Sequence, residues 1–339
     1  MSDYPIIAIP FDNGFVKTFN LNNFDTDELI NFYNKYGFVI FDNILSDNEV
    51  NLTISDLWKD MNEYLKKFDD NIHVTEDDCE YLSLPSSSNA YGFVNTGPIN
   101  QLQCWKNRQN EKIYNAFKIL YKLTSKNVNL NMNKDPLVAC LDRGSILRPT
   151  DKNKDWETKD IYHFDIDPWE FTGTTKVNDS VNSSMYDPTN LTNLTYMLSE
   201  GNFGKYNGYS KLSGVLTLSD TNENSGGFEC FVGFHNYIHD WCQKHEYNFN
   251  IRNDAGLTQN MQKIFMKKGS LMVFTRELPH NIYSNKSDKF RYAQYVRIVP
   301  QSELNLPPYL LEKRKKLMKN FLPKSLDVTS DISKELFML

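Results

Sequence analysis

A chain of 339 residues, 40% hydrophobic and 24% charged, has the apolar content to bury a sizeable core, which excludes a disordered or fibrous protein. Its formal net charge of −6 excludes a phosphate-binding surface spread over the whole chain and counts against a nucleic-acid partner. The cysteines, Cys79, Cys104, Cys140, Cys230 and Cys242, are scattered and odd in number, which disfavours a disulfide framework or a thiolate zinc site.

The opening "MSDYPIIAIPFDNG" has neither a basic start nor an apolar run of signal length. No stretch reaches the roughly 18 apolar residues of a membrane span. The expectation is a cytoplasmic protein with reduced thiols and no membrane contact. Two capping patterns open a helical part at about 20–135. In "DTDE" from Asp25 and "SDNE" from Ser46, Glu28 and Glu49 can each reach back over the first turn. The first helix should end near Gly37, before a short buried strand, "FVIF". The second carries Val50, Ile54, Leu57, Met61, Leu65 and Phe68 at helical spacing, one apolar stripe facing a core.

From Leu137 the character changes to short β-rich runs, "LVACLD", "SKLSGVLTLS", "FECFVGF", "SLMVF" and "RYAQYVRIV", bounded by Gly, Pro, Asn or Asp. Strands in succession, with few helical signals between them, predict a mainly β fold with flanking helices and a double-sheet jelly-roll core over about 136–300. A polar stretch at about 172–209 interrupts this core and is too long for a plain connection. In the tail 301–339, "PPYLLEKRKKLMKNFLP" reads as one amphipathic helix. Leu310, Leu311, Leu317, Met318 and Phe321 form its apolar face and KRKK its solvated one. The whole chain is expected to form one domain.

Within "YHFDIDPW", His163 and Asp165 are two residues apart in an extended segment, so both can point at one spot. His280, fixed by a Pro-marked turn after "SLMVF", is the best candidate for a third metal ligand. Two histidines and one carboxylate on a triangular face suit non-heme Fe(II) and oxygen chemistry. Arg291 opens "RYAQYVRIV" and shares a strand face with Ala293 and Tyr295. A buried arginine needs an anion, and its planar fork matches a carboxylate.

These segments resemble the phytanoyl-CoA dioxygenase-like branch of the Fe(II)/2-oxoglutarate-dependent oxygenases. The resemblance rests on "YHFDIDPW", "SGGFECFVGFH", "KKGSLMVFTRELPHNIYSNKSDKFRYAQYVRIVP" and, near the front, "YGFVIFDNILSDNEV". It implies a double-stranded β-helix of the cupin type, with iron held by His163, Asp165 and His280. It further implies that Arg291 binds the distal carboxylate of 2-oxoglutarate. The chemistry implied is O2-dependent hydroxylation of a C–H bond, most simply in a small-molecule substrate, with release of succinate and CO2. Related halogenases lack the carboxylate at the Asp165 position, so its retention favours hydroxylation. One departure stands out: where the family writes Pro-Gly-Ser-His after the Gly-Gly hairpin, this chain has "VGFH", leaving His235 open to another job.

Several residues carry two readings. Ser213 lies where relatives place a polar co-substrate contact, or is a satisfied strand serine. Trp169 lines the substrate entrance or packs in the core. Asp167 shares the face of Asp165 and could replace it, or sits in the turn before Pro168. Asp142, Arg143 and Arg148 form structural pairs or face the pocket, and Trp105 reads as core. His235, His239 and His245 have helical spacing but no accompanying acid, which favours a surface helix.

Overall fold

The computed structural model describes residues 3–77, 90–95, 97–124, 135–174, 211–304, 306 and 308–339. Helix starts follow the capping residues. The Asp25 carboxylate accepts from the Glu28 amide and opens α1, Thr26–Tyr36. Gly37 ends it in the left-handed region, φ 80°, and a Cβ there would lie 2.7 Å from the His235 ring. Glycine is therefore required both by the backbone and by the packing. Ser46 and Glu49 cap α2, Asp47–Leu65, reciprocally. Its buried stripe holds Val50, Leu57, Met61 and Leu65, with Ile54 half-buried. Phe68 departs from expectation: it lies beyond the last turn and is 68% exposed, because the apolar period outran the helix.

The described residues hold eleven strands, in chain order β1 Phe11–Asp12, β2 Phe15–Val16, β3 Phe38–Phe41, β4 Leu137–Cys140, β5 Gly144–Leu147, β6 Leu212–Thr217, β7 Ser225–Cys230, β8 Gln262–Lys263, β9 Leu271–Thr275, β10 His280–Asn285 and β11 Arg291–Pro300. The larger sheet runs β3-β9-β6-β11-β4, with β5 also paired to β11, and the smaller runs β10-β7-β8. Every strand pairing in these sheets is antiparallel. This is the expected two-sheet jelly roll, although helical residues outnumber strand residues in the described elements.

Alternation along β11 shows how the sheet is used. Tyr295 and Arg297 point into the space lined by both sheets. On the other side, Gln294 bonds to Asn107 of α3, Leu102–Arg108. The Tyr121 hydroxyl, on α4, Glu111–Thr124, donates to the Ile298 carbonyl of the same strand. The helical layer thus backs the larger sheet and leaves its inner face for the site. Trp105 is fully buried in this layer.

The tail helix forms at Pro308–Phe321 with Leu310 and Met318 buried and Leu311, Leu317 and Phe321 half-buried. Its basic run is not wholly a solvated face. Arg314 is fully buried and donates to the Ala139 carbonyl of β4. A guanidinium on a long stem can satisfy a strand carbonyl across the helix–sheet seam, which a charge count does not reveal. The described cysteines, Cys104, Cys140, Cys230 and Cys242, are buried and unpaired. No described helix is long and apolar enough to cross a membrane. The polar stretch expected at 172–209 lies outside the described residues apart from its first three positions.

Candidate metal centre

His163 and His280 are joined through their backbones: each donates its amide to the other's carbonyl at 3.0 Å. The segment before Asp165 makes this one bridge and no longer ladder, so it is less of a strand than its sequence suggests. Asn281 adds the missing grip. Its Oδ1 accepts from the Ile161 amide at 2.7 Å, and its Nδ2 donates to Asp160 and Glu229 at 2.9 and 2.8 Å. The pairing brings the two imidazoles within 4.2 Å, centroid to centroid.

Both rings are oriented by carbonyls that can only accept. His163 Nδ1 donates to the Ile161 carbonyl at 2.6 Å and His280 Nδ1 to the Leu278 carbonyl at 2.9 Å. The Nε2 atoms are therefore the unprotonated ones in the neutral rings, the form a metal requires. Asp165 Oδ1 lies 3.6 Å from His163 Nε2 and 3.9 Å from His280 Nε2. The three donor atoms lie within 4.8 Å of one another, and among the described residues no other group of three His, Cys, Asp or Glu does so. An ion about 2.1 Å from each donor needs neighbouring donors about 3.0 Å apart, which for the two carboxylate–histidine pairs is a closure of under an ångström. Two nitrogens and one oxygen on one triangular face fit a divalent iron-group ion.

The electrostatics agree with that use. Burial pushes His280 down to about 4, with the neighbouring His163 adding to the effect. Burial also pulls His163 down, but the hydrogen bond and charge of Asp165 outweigh it and raise its pKa. At Asp165 burial is overridden by His163, His280 and Arg297, which hold the carboxyl well below its usual range.

The triad opens onto a cavity of 560 Å³ between the sheets, in which Phe228, Phe274 and Ile282 stand among charged and polar side chains. Ser213 is in its wall, and its hydroxyl donates to Asp165 Oδ2 at 2.9 Å. Arg291 is only 2% exposed and has no described carboxylate near it; the phenols of Tyr283 and Tyr295 are its polar neighbours. It does not itself border the cavity, whereas Tyr295 and Ile282 do. Asp142 and Arg143 also border it, the latter stacked 4.5 Å over Phe93.

Other candidates lie elsewhere or do other work. Asp167 borders the cavity but is outside the metal triad; its Oδ1 caps α5, Pro168–Thr172, accepting from Trp169 and Glu170 amides. Trp169 is buried against Trp241 and donates to the His245 carbonyl, away from the cavity wall. Arg148 stacks 5.0 Å over Trp156. His235 bonds to the Asn34 carbonyl, His239 is exposed, and His245 pairs with Asp254 at 3.6 Å, so these three do not converge. Two cavity arginines escaped the sequence reading. Arg297 lies on the same face of β11 as Arg291, a period-two signal that could have found it, and is 3.4 Å from Asp165 Oδ2. Arg276, whose Nη2 donates to the Asp165 carbonyl, follows β9 in a turn and had no signal.

A two-sheet jelly roll carrying a two-histidine, one-carboxylate face defines the class of non-heme metal oxygenases. A search for a matching family model found none. Among curated proteins, a Dictyostelium discoideum protein named "Putative phytanoyl-CoA dioxygenase" is 30% identical over 301 residues, covering 87% of this chain and 80% of its own. The chain belongs to the phytanoyl-CoA dioxygenase family of Fe(II)/2-oxoglutarate-dependent oxygenases. Two solved structures share the fold: the GlcNAc-inducible protein GIG2 of Candida albicans (TM-score 0.53, 15% identity, 93% of this chain and 73% of that one) and a protein named "Putative Oxidoreductase" from Salmonella typhimurium LT2 (TM-score 0.54, 14% identity, 91% and 81%).

Proposed function

We propose that this protein is a dioxygenase that uses Fe(II), 2-oxoglutarate and O2 to hydroxylate a C–H bond of a small-molecule substrate, with release of succinate and CO2. The observation that carries the reading is the convergence of His163, Asp165 and His280, remote in sequence, on one face beside a cavity. When bound there, iron and the keto acid together supply oxidative decarboxylation coupled to C–H oxidation.

The chain's own residues do the rest. Backbone carbonyls hold His163 and His280 as Nε2 donors, and Asp165 supplies the third donor and one negative charge. Arg291, beside the cavity-lining Tyr295, is assigned the distal carboxylate of the keto acid, since it is a buried guanidinium with no carboxylate near it among the described residues. Arg297, by contrast, already has Asp165 and Asp142 beside it, at 3.4 and 3.9 Å. Phe228, Phe274 and Ile282 supply apolar surface for the substrate in the cavity beside the triad. Stimulated succinate release across a panel of candidate small molecules tests the reading. His163→Ala and Asp165→Ala are expected to abolish it, and an active double variant would overturn the proposal.

A further inference from the structure

Asp165 uses its two oxygens differently. Oδ1 faces the histidine nitrogens at 3.6 and 3.9 Å, while Oδ2 is turned away and accepts from the Ser213 hydroxyl at 2.9 Å. Arg297 reaches the same oxygen with Nη2 at 3.4 Å and donates its Nε hydrogen to the Ser213 oxygen at 3.2 Å. The result is a closed relay: Arg297 to Ser213, Ser213 to Oδ2, and Arg297 to Oδ2 directly. Strand register makes it possible. β11 and β6 pair Val296 with Gly214, so the next step along each strand sets Arg297 opposite Ser213 on the inner face. Both side chains are buried. On the main-chain side Arg276 donates to the Asp165 carbonyl, so the residue is held at both ends.

We infer that Arg297 and Ser213 are positioning residues that commit Asp165 Oδ2 and leave Oδ1 alone to face the ion, fixing the carboxylate as a one-point ligand. The inference rests on the proposed metal role of the triad. Its consequence is coordinative. Two histidines and a one-point carboxylate leave half of an octahedral ion open, enough for a keto acid binding through two atoms and one further molecule. A carboxylate free to swing would add its second oxygen and take one of those places.

Co(II) is the probe, because its visible d–d absorption reports both occupancy and geometry. Titrations compare the full-length wild type with Ser213→Ala, Arg297→Met, Arg297→Lys and Asp165→Ala. Loss of an outer partner of a ligand costs about tenfold to a hundredfold in metal affinity. Ser213→Ala and Arg297→Met should each show that loss with an altered d–d spectrum, and the double variant should lose less than the product of the two, since both act on one oxygen. Arg297→Lys should recover part of the affinity but not the spectrum, because an ammonium cannot span Ser213 and Oδ2 together. Wild-type affinity and spectrum in both Ser213→Ala and Arg297→Met would overturn the inference. If Asp165→Ala loses Co(II) in that case, the metal reading survives; if Asp165→Ala binds as the wild type does, both readings fall. Should circular dichroism show Arg297→Met unfolded, Ser213→Ala decides, because it deletes only a hydroxyl.

Discussion

Arg291 offers the sharpest test of the co-substrate assignment, because burial makes its two possible roles predict opposite results. Its guanidinium is 2% exposed, with the phenols of Tyr283 and Tyr295 as polar neighbours and no carboxylate near it among the described residues, and burial lowers its pKa. A charge desolvated without an internal counter-ion destabilises the fold on its own. Replacement by methionine keeps most of the volume and removes that penalty, so the metal-free protein without 2-oxoglutarate should melt at the same temperature or higher. The same change removes a paired, charge-assisted contact to the co-substrate. Truncating one partner of such a buried pair costs about 2–5 kcal/mol, so 2-oxoglutarate should bind roughly 30-fold to several thousand-fold more weakly. Anaerobic calorimetric titration of the Fe(II)-loaded protein with 2-oxoglutarate, alongside thermal melts, reads both quantities. A variant that melts lower while binding 2-oxoglutarate as the wild type does would make Arg291 a structural residue and refute the reasoning.

Metal affinity should depend on pH through His163 first. Its pKa is raised, so below that value the ion must displace its proton, and affinity should fall about tenfold per pH unit on acidification. His280, held to about 4, adds a second proton only near that pH. Calorimetry in buffers of different ionisation enthalpy should find one proton released per ion at pH 5, and a flat affinity from pH 5 to 7 would contradict the assignment. Asn281→Leu, close in volume, should cost about 2–4 kcal/mol in urea unfolding, because the Ile161 amide and the Asp160 and Glu229 carboxylates lose their partner. A loss below about 0.5 kcal/mol would show that the 160–163 segment is held by other means. Gly37→Ala should cost at least about 1–2 kcal/mol by the same measurement, from the left-handed backbone and the nearby His235 ring.

The site was legible in the sequence to the extent that short-range geometry dictates it. His163 and Asp165 stand two apart, His280 follows a proline turn, and Arg291 begins a strand; each spacing reports a local direction, and the family resemblance supplied their common purpose. The caps at Asp25 and Ser46 and the stop at Gly37 were likewise visible, because capping is settled within a few residues. What the spacing could not report was which partner each side chain meets across the sheets. Trp169 is buried because Trp241, more than seventy positions later, packs against it. Arg314 left the solvated face because β4 presented a carbonyl to it. Arg297 and Ser213 meet on Asp165 only through the register between β11 and β6, and Arg276 arrives from a turn with no local mark. The sequence by itself therefore determined the donor types and the local directions they take. Only the tertiary structure decided the distances between them and the neighbours that hold them, because strand register and helix–sheet contact are set by the packing of segments far apart along the chain.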